Sequence, residues 1–131
     1  MKFILMMHAP SARGGYQIDD WSPADIQAHM DFMARFNQEL RAAGEWAAAE
    51  GLAPPGQARI VRAGKSGKPE VTDGPFPEAK EFLAGYWIVD VETPARAYEI
   101  AGAASAAPGP RGVPLNMAIE VREVMAGPPT E

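Results

Sequence analysis

Two histidines, His8 and His29, are the only side chains in this sequence whose ordinary pKa lies near neutrality. Any proton transfer at neutral pH therefore starts from them. They stand 21 positions apart, a separation that still lets the end of a central strand meet the inner face of a first helix on the adjacent layer. His8 ends an apolar strand beside a Pro/Gly-rich loop over residues 10–15, the kind of place where clefts form. His29 lies at the flank of a helical apolar stripe, where a hydrogen bond to backbone or water explains a histidine as well as a ligand contact does. Asp73 is the third candidate, within Val71-Thr72-Asp73-Gly74-Pro75-Phe76. Asp, Gly and Pro all favour turns for local reasons: the carboxylate accepts backbone N–H groups, Gly74 is free to take positive φ, and Pro75 fixes the next φ. The functional reading has the turn deliver Asp73 beside His8, where a carboxylate orients an imidazole and raises its basicity.

We take His8 and Asp73 as the candidate catalytic pair, with His29, Tyr16 and Trp87 as candidate contacts to a small-molecule substrate. Tyr16 follows Gly14-Gly15 in a long polar loop over 9–20, and loops of that length often act as lids. Trp87 belongs with Trp21, Trp46 and Tyr86, aromatic residues suited to an apolar pocket, a core or an interface. A metal at the two histidines would need Asp31, Asp73 or Glu50, and no H-x-H or H-E-x-x-H spacing supports one, so no metal is expected. Gly64-Lys65-Ser66 imitates the end of a phosphate-binding loop, but Arg59 stands where that motif needs glycine, and Pro69 and a strand follow instead of a helix. No cofactor is expected.

Composition sets the bounds. A chain of 131 residues fits one domain, residues 1–131, with a core that needs no disulfide or structural metal. The absence of cysteine excludes disulfides, thiolate metal sites and a Cys nucleophile, and leaves the cytoplasm as the default compartment. The apolar run before His8 is too short for a signal sequence and far short of a membrane span. A net charge of −5 with scattered Lys and Arg argues against nucleic acid as the partner.

The elements that must position these residues follow from periodicity. Phe3-Ile4-Leu5-Met6-Met7 is apolar on both alternating faces and predicts a central strand, with His8 on the face of Ile4 and Met6. Ser22-Pro23-Ala24-Asp25 starts a helix that Gly44 ends, its apolar arc being Ile26, His29, Met30, Met33, Phe36 and Leu40. Segments 59–62 and 69–72 flank a Gly/Lys/Ser turn and predict a hairpin at the edge of the sheet. Residues 86–91 form a second apolar strand, 94–107 a short helix carried by Tyr98 and Ile100, and 115–122 a half-buried strand. The order is that of an α+β, ferredoxin-like βαββαβ domain with one extra strand contribution. Two helices cover one sheet face, so a second subunit is the economical cover for the other, and a homodimer is expected.

The segment 71–76, with Lys80-Glu81, Tyr86-Trp87-Ile88-Val89, Ala42-Ala43-Gly44, Glu50-Gly51-Leu52 and Ile119-Glu120-Val121-Arg122, resembles the DGPF branch of the YCII-related proteins over nearly the whole chain. The resemblance implies a dimeric α/β barrel of two ferredoxin-like units. It also implies a His–Asp pair of the kind implicated in a related enzyme that removes halide from a hydroxylated aromatic ring. In that pattern the histidine sits on the first helix close to its terminal glycine. Here His29 precedes Gly44 by 15 residues, Met33 stands one turn later, and Ala106-Ala107-Pro108 occupies the region of the partner acid. The resemblance therefore does not carry dehydrochlorination onto this chain. DGPF-type proteins are also similar to companions of alternative sigma factors, which implies a non-catalytic interaction module as the competing reading.

Overall fold

A computed structural model describes residues 1–10, 18–76 and 80–127 of the chain. Strand β1 (Lys2–Pro10) alternates as its sequence requires: Phe3, Leu5, Met7 and Ala9 are buried, while Ile4, Met6 and His8 on the other face are half-buried. It pairs antiparallel with β5 (Glu81–Asp90) on one side and β6 (Ile119–Glu123) on the other, and is therefore central. Strand β2 (Trp46–Gly51) pairs with the far side of β5, giving the four-stranded antiparallel order β2-β5-β1-β6. With helices α1 (Pro23–Ala42) and α2 (Pro94–Ser105), this arrangement is compatible with a ferredoxin-like fold.

Helix α1 has the ends its sequence encodes. Ser22 Oγ accepts the Asp25 N–H at 3.2 Å, and Pro23 occupies the first turn, where its missing N–H is not needed. At the other end Gly44 adopts φ 73°, its N–H donates to the Arg41 carbonyl, and the Glu45 N–H reaches back to that of Leu40. This left-handed closure satisfies two carbonyls that the helix leaves open.

Both helices pack on the face that carries Phe3, Leu5 and Met7. Phe36 and Leu40 of α1 join Ala97, Ile100, Ala101 and Ala104 of α2, Trp87 and Val89 of β5, and Met117 in one core. The small side chains of α2 let its backbone approach the sheet. Tyr98, expected to carry that helix's apolar face, is 60% exposed. Its ring would not fit where Ala97 and Ala101 sit against the strands.

Two further expectations are corrected. The hairpin of β3 (Arg59–Arg62) and β4 (Glu70–Asp73) does not edge the main sheet; it is a separate two-stranded sheet. The edge next to β5 is taken by β2, whose Trp-Ala-Ala-Ala-Glu-Gly sequence has no apolar alternation to announce a strand. The last strand begins at Ile119 rather than Leu115, because Asn116 adopts a left-handed φ of 53°. Residues before it are held instead by Leu115 N–H to the Ala107 carbonyl and by Ser105 Oγ donating to the Met117 carbonyl at 2.6 Å. Among the described residues no helix is long and apolar enough to cross a membrane.

Candidate functional site

His29, Met33 and Asn37 are spaced four apart on α1 and so share one face of the helix. Opposite them the sheet is short of side-chain bulk. Ala49 and Gly51 of β2 and Ala84 and Gly85 of β5 lie there, with Gly51 directly across from Gly85. The strands come so close that a Cβ added at Gly85 would lie 2.9 Å from the Glu50 carbonyl oxygen. The result is a recess of about 280 Å³ between helix and sheet, walled by Met7, Met33 and Trp87 and with Met30 at its margin.

His29 is the one buried polar side chain among the described residues, 3% exposed. Its Nδ1 lies 3.0 Å from the Pro108 carbonyl oxygen. A carbonyl can only accept, so this contact assigns a proton to Nδ1. Trp21 packs edge-on against the imidazole, with centroids 5.4 Å apart and planes at 84°. Trp87, also buried, is held twice: Phe36 meets its ring edge-on at 5.6 Å, and its Nε1–H donates to Asn37 Oδ1 at 2.9 Å.

Of the residues singled out from the sequence, His29 and Trp87 therefore line one recess. His8 points to the opposite face of the sheet from its neighbour Met7. Its Nε2 lies 3.0 Å from Glu120 Oε1, a partner supplied by the register of β6, which sets Glu120 across from Met6 on that same face. Asp73 sits on the separate hairpin, its carboxylate 96% exposed and 3.7 Å from Arg59 Nε. The structure thus gives His8 and Asp73 different partners within the chain. Gly74 does not use a positive φ; its N–H donates to the Ala58 carbonyl, and a Cβ there would press on Ala58 at 3.2–3.3 Å. Tyr16 lies outside the described residues. Among the described residues no group of three or more His, Asp or Glu side chains is placed to hold a metal ion.

Sequence reasoning placed Met33 only in the apolar arc of the first helix, and it did not single out Asn37 or the pairing of Ala49 and Gly51 with Ala84 and Gly85. Asn37 had a readable signal, since a buried tryptophan needs an acceptor for its N–H and Asn37 continues the four-residue spacing from His29. The small residues had none, because a recess is marked by side chains that are missing.

This α+β architecture with its recess under the first helix accompanies a sequence match to the YCII-related domain over residues 1–126. The chain belongs to the YCII-related family. Among curated proteins, none matches it.

Proposed function

We propose that this chain binds a small, mostly apolar molecule in the recess between α1 and the sheet, with His29 as the group that exchanges a proton with it. The observation that carries this reading is the lining: mostly methionine, tryptophan, alanine and glycine surfaces, with Asn37 and Glu50 among them, around the one polar side chain that is buried among the described residues, His29. Ligand sites are commonly concave, apolar and supplied with a few fixed polar groups. Imidazole is the side chain suited to giving and taking a proton near pH 7. A histidine on the first helix is also what the YCII resemblance implies, although here it is set farther from Gly44. The turn 73–76 supports placement in the DGPF branch of the family.

The test is a fragment screen followed by backbone amide shifts. Ligands of the recess move the signals of Met33, Asn37, Gly85 and Trp87, and a ligand at 100 times its Kd stabilises the protein by about 2.7 kcal/mol. Ala49→Leu places three more carbons on the recess floor and should abolish binding, while His29→Asn, which removes the imidazole, should abolish proton exchange with the ligand. Fragments that bind Ala49→Leu as well as the native chain would place the site elsewhere.

A further inference from the structure

Among the polar groups that line the recess, one amide NH2 is left unused by the fold. The Trp87 indole N–H can only donate, so the Asn37 atom 2.9 Å from it is the carbonyl oxygen Oδ1. That bond fixes the amide and leaves Nδ2 as the group without a partner among the described residues. No buried side-chain nitrogen or oxygen there lacks a hydrogen bond. The Asn37 NH2 is therefore accessible, on a side chain that lines the recess.

Resting on the reading of the recess as a ligand site, we propose that Asn37 selects ligands bearing an uncharged carbonyl oxygen, which accepts a hydrogen bond from Nδ2. Two observations narrow the class. Nδ2 is a donor only, so the matching ligand atom is an acceptor. Among the described residues no lysine or arginine lines the recess, while Glu50 does, so a carboxylate ligand would give up its water and face a like charge, whereas a ketone, ester or amide carbonyl loses much less. The rest of such a ligand rests on Met7, Met33 and Trp87, and the flexible thioethers adapt to its shape. Asn37 then has two roles on its two amide ends, with Oδ1 orienting Trp87 and Nδ2 reading the ligand.

Three probes of nearly equal shape test this: acetophenone, cumene, in which a methyl group replaces the carbonyl oxygen, and benzoate. Each is titrated at pH 8 into the native chain, following the backbone amides of the recess and the side-chain NH2 of Asn37. Acetophenone should bind about tenfold tighter than cumene, the net effect of one hydrogen bond, and tighter than benzoate, and it should shift the Asn37 NH2 signals the most. Asn37→Asp keeps an acceptor for Trp87 but turns a negative oxygen toward the ligand, so it should erase the preference for acetophenone over cumene. Equal binding of acetophenone and cumene in the native recess would overturn the selection by Asn37 and leave the ligand site standing. So would benzoate binding tightest, or Asn37→Asp weakening all three probes alike. If none of the three moves the recess amides, the ligand-site reading and this inference fall together. The comparison of probes needs only the native protein.

Discussion

Replacing Asn37 with leucine removes the acceptor of the Trp87 indole while keeping the same branching and number of side-chain heavy atoms. Trp87 is 5% exposed, so its N–H would be left in a largely dry environment. Stranding such a donor costs about 1–3 kcal/mol, the desolvation of the group rather than the modest net worth of a hydrogen bond. The added apolar surface at a half-buried position returns under about 1 kcal/mol, leaving a net loss of about 1–2 kcal/mol. With an unfolding entropy of about 2.1 cal/mol/K per residue, a chain of this length loses roughly 4–7 °C in Tm. Asn37→Asp keeps an oxygen for the indole and should lose less than half as much. Asn37→Ala opens the recess further, so water can reach Nε1 and the loss should fall between the two. The assay is thermal unfolding followed by circular dichroism at one fixed protein concentration, because any association makes Tm concentration-dependent. An Asn37→Leu variant as stable as the native chain would refute the reasoning, since it would mean that the 2.9 Å bond contributes nothing.

Other outcomes follow from single contacts. Gly44→Ala meets no atom within 4 Å but must hold φ 73°, so it should cost about 1 kcal/mol, read from the urea midpoint; an unmoved midpoint counts against the helix closure described above. Arg96 hydrogen-bonds Glu45 through Nε and Nη2, both at 2.8 Å, and this holds the Glu45 carboxyl below its ordinary range against the opposing effect of burial. A depressed folded pKa gives stability that is fully present above the unfolded value near pH ~4.3 and is lost as pH falls through the folded one. Glu45→Gln should therefore be less stable than the native chain at pH 7, with the gap closing in acid. Since Arg96 is 44% exposed, the gap should stay under about 1 kcal/mol, and a gap unchanged from pH 7 to pH 2 would contradict it. A second copy over the sheet face of Ile4, Met6, Tyr86 and Ile88 should make light scattering report twice the 14.0 kDa chain mass, and Met6→Glu should return it to one; a native monomer at micromolar concentration would exclude this cover.

The fold was most legible where hydrophobic period and end signals coincide. Phe3 to Met7 announced a central strand because both of its faces are apolar, and Ser22-Pro23 with Gly44 marked both ends of α1. It was least legible where alanine dominates. Ala47, Ala48 and Ala49 carry no alternation, so β2 went unseen and the hairpin was assigned its place at the sheet edge. On α2 the same ambiguity made Tyr98 look like the apolar anchor, when small residues face the core instead. At the site, residue chemistry drew attention to His29 and Trp87. It could not indicate that β6 would hand Glu120 to His8, because that pairing depends on strand register across more than a hundred residues.

The central position of β1 has a consequence for how the chain is made. Its nearest hydrogen-bonded partner in sequence is the Pro10–Glu81 pair, 71 residues on, and its pairing with β6 runs as far as Glu123. Strand β1 thus waits during synthesis for partners made much later, and no pairing within the next 70 residues shelters Phe3-Ile4-Leu5-Met6-Met7 in the meantime. An uncharged apolar pentapeptide waiting for a distant partner is a natural target for chaperones and a hazard for aggregation during synthesis. Charged substitutions on the half-buried face, at Ile4 or Met6, would ease that wait at the expense of whatever the finished face must recognise.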